Sequence, residues 1–275
     1  FGRNYFNGWS SNQNFRLIPT KELADSKRFK EWKPKEQISH KINYDVNKDL
    51  YSIKNHFEIF NEKITNRGMP QEPYYENAFD EYYHTFRKNL GTDIKFQKND
   101  HKVRLLLAYN NYIRTKETFY KDLTDLSEIL AQDVSMQDTS HFNLWMVKAI
   151  ISNDNSEKLN YQIGVDLNKQ NAIGRRILKN YQEKSNYALF TVIEYKVNNI
   201  IALRPSLRVI HNTKYKAPVV PSMNALFKWG KNKIRISYAK GFRAPDFKEL
   251  FLEFVDINHN IIAVSYTHLT LPTIL

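Results

Sequence analysis

The sequence predicts an all-β fold, specifically part of a transmembrane antiparallel β-barrel. Three observations predict it. Side chains alternate apolar and polar with a period of two, short polar turns alternate with long connections, and an otherwise polar chain is rich in aromatic rings. The 275 residues include 17 Tyr and 17 Phe, and aromatics make up 14%, while mean hydropathy is -0.61. That combination suits a wall in which every second residue faces lipid and rings collect at the two membrane surfaces. Composition alone suits a tyrosine-rich soluble β-protein better, so the patterning and the connections have to decide.

The alternation is regular. In "LNYQIGVDLN", Leu159, Tyr161, Ile163, Val165 and Leu167 share one face, and Asn160, Gln162, Gly164, Asp166 and Asn168 share the other. In "IALRPSLRVIH", Ile201, Leu203, Pro205, Leu207 and Val209 oppose Ala202, Arg204, Ser206 and Arg208. "KIRISYAKG" sets Ile234, Ile236 and Tyr238 against Arg235, Ser237 and Ala239. "VRLLLAYN" sets Val103, Leu105, Leu107 and Tyr109 against Arg104, Ala108 and Asn110. "QISHKINYDV" and "LYSIKNHFEIF" give weaker versions nearer the start. A soluble sandwich also shows one apolar and one polar face per strand.

The connections separate the two. Polar turns are expected at 46–49, 98–100, 153–156, 197–199 and 230–232. Between them lie long connections, expected over 66–80, 115–139 and 169–184. Short turns at one end and long loops at the other mark an outer-membrane barrel. Strands of about ten residues or more suit a tilted crossing. Within the second loop, Leu123, Leu126, Ile129 and Leu130 of "LTDLSEILAQDV" have helical spacing, so one short amphipathic helix is expected there, packed within the loop. No longer repeat, low-complexity run or dividing linker appears, and residues 1–262 read as one domain.

Charge and motif content exclude several function classes. The net charge is +12, from 41 Lys+Arg against 29 Asp+Glu. The basic residues are dispersed, with no like-charge block and no metal-finger or RNA-binding signature, so nucleic acid is not an expected partner. Cys is absent, which removes disulfides, thiolate metal sites and Cys nucleophiles. No apolar run is long enough for a transmembrane helix. There is no H-E-x-x-H, G-x-S-x-G, P-loop or dinucleotide fingerprint, so neither an enzyme, a metal site nor a cofactor is expected. His141 and His211 read as interface or loop residues rather than ligands. Asp246 and Glu249 are three apart and suit helix-start capping as well as acid–base chemistry. Arg204, Arg208 and Arg235 are candidates to face one lumen from neighbouring strands, where they attract an anionic ligand or pair with acidic groups inside the barrel. Because the chain starts at Phe1, it is read as an internal piece of a longer protein.

The tail "AVSYTHLTLPTIL" (263–275) holds no Lys, Asp, Glu or Asn. Val264–Thr273 can be encoded by GTC TCT TAT ACA CAT CTG ACG CTG CCG ACG, which resembles the end of a transposase-type sequencing adapter. The segment is expected to be translated adapter and is set apart from the fold.

One stretch is specific to a family. "ISYAKGFRAPDFKELFLEFVDINHNI" (236–261) resembles the late-barrel segment of TonB-dependent outer-membrane receptors, particularly the siderophore- and cobalamin-type receptors of Bacteroidetes-like bacteria. Gly241, Phe242, Arg243, Ala244 and Pro245 match the family's strand-ending turn residue for residue, and "ALRPSLRVIHNTKY" with "VVPSMNALFKWGKNKIRISYAKGFRAP" resembles the paired strands that lead into it. The resemblance is densest over 186–262 and continues more thinly over 37–185. In this turn Pro245 is expected to end regular pairing, because it cannot donate to a ladder, and Gly241 to let the backbone bend or bulge near the rim.

The resemblance implies a barrel of about 22 strands around a plug, of which this chain supplies about ten, without the plug, the energy-coupling box or the last strands. It implies active uptake of a scarce chelate across the outer membrane, with iron-siderophore ahead of cobalamin and haem. The implied partners are the TonB energy-transducing complex, acting through the plug, the chelate itself and membrane lipid. Two rivals stand beside it: a passive porin-like barrel, and a soluble basic β-protein that binds polyanions.

Overall fold

The structure, a computed structural model, describes residues 33–153 and 155–251 together with Arg28, and the backbone of strands at 2–6, 9–17, 254–256 and 261–263. Most of the 263–275 segment therefore lies outside the described residues.

Thirteen strands form one sheet: β1 (Gly2–Phe6), β2 (Trp9–Leu17), β3 (Lys35–Asn47), β4 (Tyr51–Arg67), β5 (Asn77–Lys98), β6 (His101–Asp122), β7 (Glu128–Leu130), β8 (Asp138–Asn153), β9 (Leu159–Gly174), β10 (Tyr181–Lys196), β11 (Ile201–Asn212), β12 (Val220–Trp229) and β13 (Asn232–Ala239). Neighbours in sequence are antiparallel neighbours in space, with β7 alone off the path, paired to the outer part of β6. The sheet is open, as expected for part of a barrel. A helical turn α1 (Phe247–Phe251) and a separate hairpin of β14 (Phe254–Asp256) and β15 (Ile261–Ala263) follow.

Short turns fall at 48–50, 99–100, 155–158, 197–200 and 230–231, as the polar clusters predict. The long connections are shorter than expected, at 68–76, 123–137 and 175–180, because the strands run on. β5 and β6 reach 22 residues each, about twice the nine to eleven that a crossing requires. The expected helix in the second loop is absent. Glu128–Leu130 is instead a strand, Leu126 takes φ 64, and Ile129 and Leu130 are exposed. The Asp122 and Asp125 carboxylates accept backbone N–H groups from Thr124 and Ser127, both at 2.7 Å. These two side-chain turns take the donors that a helix would use.

Register is unbroken over long distances, from Tyr51↔Phe96 to Arg67↔Asp80 between β4 and β5, and from Asn77↔Asp122 to Lys98↔His101 between β5 and β6. A period-two pattern therefore stays on one face across the whole sheet. Ile53, Ile94, Leu105, Ala149, Val165, Leu189 and Val209 form one continuous row on the apolar face. The ladder between β10 and β11 skips Pro205, which has no N–H to give: pairs run to Val192↔Ser206 and resume at Tyr195↔Leu203.

The apolar face is a band at the short-turn end. On β9 it runs from Leu159 to Leu167 and then turns polar at Lys169 and Asn171. Nine residues at about 3.3 Å each, tilted by about 40°, stand about 23 Å tall, close to the height of a lipid-facing band. Rings border it on both sides. Tyr51, Phe96, Tyr161, Tyr195 and Phe227 lie near the short turns, and Tyr109, Trp145 and Tyr187 lie at the far edge. Tyr109 and Trp145 oppose each other directly, with centroids 4.2 Å apart. Large apolar side chains such as Trp145, Leu189 and Ile163 are exposed, while few apolar residues are buried. This is a wall whose apolar surface requires lipid, not a chain folded around its own core.

Candidate functional site

Directly above the apolar band, on the same face, asparagines form a ladder. Asn111 Nδ2 donates to Asn143 Oδ1 at 2.7 Å, and Asn143 Nδ2 to Asn171 Oδ1 at 3.0 Å. His141 Nε2 lies 2.5 Å from Asn111 Nδ2, and His211 stacks on Tyr187 at 6.2 Å. Both histidines thus sit at the band edge among amides and rings. No group of His and acidic residues that could hold a metal occurs among the described residues.

The opposite, polar face pairs its charges across strands. Arg104 is bidentate to Asp93 at 2.9 and 2.8 Å, Arg87 reaches Glu58 at 3.3 Å, and Lys116 reaches Glu81 at 2.7 Å. Arg208 bonds Asp166 at 3.0 Å, and its guanidinium and the Lys148 amine both lie over the Phe190 ring, at 5.8 and 5.3 Å. The ring fits because residue 164 is glycine. A Cβ there would lie 2.5 Å from Phe190 and 2.7 Å from the Ala149 carbonyl.

Register places Arg204, Arg208 and Arg235 on this one face. Arg204 opposes Asn224, which opposes Ser237, and Arg235 opposes Leu226. The three are not gathered into a cluster. Arg208 is engaged by Asp166, whereas Arg204 and Arg235 are exposed and have no acidic partner among the described residues.

The Gly241–Pro245 turn behaves differently from its sequence reading. Pairing of β12 with β13 ends at Ala239, six residues before Pro245, so Pro245 does not end it. Gly241 has no positive φ, and a Cβ there would meet nothing within 4 Å, so the bend does not rest on glycine. The turn instead carries α1 onto the polar face at the long-connection end. Phe242 packs 6.2 Å from Tyr215, Arg243 pairs with Glu249, Ala244 is exposed, and Pro245 is buried with its carbonyl accepting Lys184 Nζ at 3.2 Å. Phe247, Leu250 and Phe251 then pack with Ala172, Ile177 and Phe142.

Asp246 and Glu249 serve as caps. Glu249 Oε2 accepts the Asp246 N–H at 2.8 Å, the half of a capping box in which the third helical residue reaches back to the cap, while Asp246 Oδ1 accepts the N–H of the next residue, Phe247, at 2.7 Å. The Asp246 N–H, followed by Arg243, holds the Glu249 carboxyl below its usual range. A depressed pKa contributes stability above the ordinary carboxylate range that is lost as pH falls through the lowered value. Acid is therefore expected to loosen α1, and Glu249→Gln to remove that acid sensitivity. Hydrogen exchange at Leu250, corrected for intrinsic rate, measures both.

Sequence reasoning missed one site. Arg28 and Asp80, 52 positions apart, form an ion pair at 2.5 Å with side chains 3% and 2% exposed. Arg28 Nη1 also donates to the Gly68 carbonyl at 3.0 Å. Nothing local in the sequence signals a pairing at that separation.

Comparison with known proteins places the architecture. The family model for the β-barrel of TonB dependent receptor-like proteins matches residues 28–271, reaching into the 263–275 segment. No curated protein matches the sequence. The siderophore receptor PirA from Pseudomonas aeruginosa shares the fold at 12% identity and TM-score 0.50, over 88% of this chain and 47% of that one. The siderophore receptor PirA from Acinetobacter baumannii does so at 10% identity and TM-score 0.51, over 88% of this chain and 44% of that one. The chain thus spans less than half the length of either. Extending over most of its length, the family match shows that the chain belongs to the TonB-dependent receptor β-barrel family, whose members are transporters and not enzymes.

Proposed function

We propose that this chain is part of the wall of an outer-membrane receptor that imports a scarce chelate, an iron-siderophore complex first among candidates, with energy delivered through TonB. The observation that carries the reading is the two-faced sheet: a ring-bordered apolar band of about membrane height backs onto a face of paired charges. Family membership supports outer-membrane placement and transport, and two solved relatives named as siderophore receptors support the choice of ligand class. On this reading the polar face, with Arg204, Arg208 and Arg235, lines the interior. The Gly241–Pro245 turn seats α1 across that interior near the mouth. TonB acts through a plug contributed by another part of the receptor, and lipid covers the apolar band.

The test is uptake of labelled ferric chelates by cells carrying the full-length receptor gene. The expected result is uptake that is saturable and lost when TonB is deleted. Non-saturable permeation that survives the deletion would overturn the reading in favour of a passive pore. The domain division belongs to the same proposal, with 1–262 as barrel and 263–275 as translated adapter. The codon match supports it, and the family match running to residue 271 weighs the other way. Resequencing the source DNA past Ile262 decides it: a frame that encodes the tail overturns the adapter assignment.

A further inference from the structure

Above the apolar band, and on the same face of the sheet, β3–β7 frame a cavity of about 360 Å³. Register fixes that face. Lys63, Thr65 and Arg67 continue the β4 positions that carry Ile53 and Phe57, and His84 and Tyr82 stand opposite Lys63 and Thr65 on β5. Glu117 and Phe119 of β6 follow from the same pairing. The chain before β3 bounds one side. There the Thr65 N–H donates to the Pro34 carbonyl at 2.9 Å, and Arg67 stands opposite Asp80, the partner of Arg28. Thr65 and Arg67 are buried. Glu128 of β7 lines the cavity as well and accepts the Tyr82 hydroxyl at 3.4 Å. The Tyr82 and Phe119 rings meet edge-on between them, with centroids 5.6 Å apart.

The cavity holds charges of both signs, incompletely matched. His84 Nε2 lies 3.8 Å from Glu117, and Glu128 lies 3.7 Å from Lys121. Glu36 and Lys63 are direct cross-strand partners, yet the two form no ion pair among the described residues. The Lys63 amine lies instead over the Tyr82 ring, 5.0 Å from its centroid. A carboxylate and an ammonium that face one space without meeting suit a ligand carrying both opposite charges. We infer that the cavity takes the headgroup of an outer-leaflet lipid in which a phosphate and a primary amine occur together. Lys63 meets the phosphate, and Glu36 meets the amine. The inference rests on the reading that the apolar band faces lipid and the long connections face outward.

Depth points to a lipid. The Lys63–His84 pair lies two residues beyond the row of Asn61, Phe86 and Ile113, the last on this face to carry apolar side chains on β5 and β6. Two residues at about 3.3 Å each, tilted by about 40°, rise about 5 Å. The headgroup layer adds about 5–8 Å to each side of the hydrocarbon, so the cavity begins inside it. A lipid anchored below by its chains is present there at high effective concentration, an advantage that a dissolved molecule lacks. Charge sets the chemistry. A purely anionic headgroup is disfavoured by Glu36, Glu117 and Glu128, and a purely cationic one by Lys63 and Arg67. The volume lies at the lower end of the range for pockets that hold small molecules, which suits a headgroup without its chains.

The experiment is native mass spectrometry of the full-length receptor, taken from nanodiscs that mix ethanolamine, choline and glycerol phospholipids and then partly delipidated in detergent. The expected result is one ethanolamine phospholipid retained in preference to the other two. Lys63→Gln should cut that retention about tenfold, the effect of one lost charge-assisted hydrogen bond. Glu36→Gln should cut it as much while raising retention of the glycerol lipid. Equal retention of the three lipids, preference for the glycerol lipid, or retention unchanged in both variants would overturn the inference. So would binding of dissolved phosphoethanolamine with no selection among the lipids, which would make the ligand a solute. A control separates the site from the reading beneath it: brominated acyl chains in the same nanodiscs should quench the part of the tryptophan fluorescence that Trp145→Phe removes. If that quenching occurs and no lipid is selected, only the headgroup site is wrong. If it fails, the band does not face lipid, and the reading of the chain as a membrane wall falls with the site.

Discussion

Val165→Arg in the full-length receptor is expected to lose about 2–4 kcal/mol of stability in lipid, the cost of a cation near the bilayer midplane on a barrel's outer face. Val165 lies in the middle of the apolar row, flanked in register by Ala149 and Leu189. Gln162→Arg, three positions away, adds the same charge to the polar face beside Ser152 and Val192 and is expected to change stability little. Denaturant titration of vesicle-embedded receptor, read by the gel mobility of folded against unfolded protein, measures both. Equal losses would show that the faces are not divided between lipid and interior, and would take the interior placement of Arg204, Arg208 and Arg235 down as well.

Asp80→Ala is expected to be the most damaging change above the band. It leaves the Arg28 guanidinium buried with the Gly68 carbonyl as its remaining hydrogen-bond partner among the described residues, and breaking a buried pair from one side costs about 3–5 kcal/mol. The loss should be local, freeing the 68–76 connection and the outer ends of β4 and β5. Protease cleavage there, with the band intact, reads it out. The double change Arg28→Met/Asp80→Leu should recover most of the loss, because replacing both members by apolar residues removes the stranded charge. If Asp80→Ala leaves the connection as protected as in the parent, the pair contributes nothing to it. Gly68 limits what can be built beside the pair, since a Cβ there would lie 2.2 Å from the Phe79 carbonyl.

The two faces of each strand were legible because lipid on one side and polar groups on the other impose opposite chemistries on successive residues. Val165 and Asp166 are neighbours in the chain, yet one faces a hydrocarbon row and the other holds an arginine. Legibility stops where lipid stops. Over 115–122, "TKETFYKD", both faces meet water or loops, alternation fades, and the strand reads as a loop although it pairs to Asp122. In "LTDLSEILAQDV" the leucine spacing pointed to a helix, while Asp122 and Asp125 gave the better signal through their two-residue side-chain turns. The Gly241–Pro245 turn was legible as a motif but not as a mechanism. What it does depends on Lys184 and Phe142, distant in sequence, which receive it.

The overlong strands divide the outer surface into two electrical environments. On β5, the residues from Asn77 to Lys88 continue past the band; twelve residues at about 3.3 Å and the same tilt rise about 30 Å, comparable to the membrane itself. Apart from the buried Arg28–Asp80 pair, that collar carries charges that meet water, as in Lys169–Glu183 at 3.0 Å. Dissolved ions screen such pairs within about 8–10 Å at ordinary salt, and they do not enter hydrocarbon. Ionic strength is therefore a control that acts on the collar and leaves the lipid-facing row untouched.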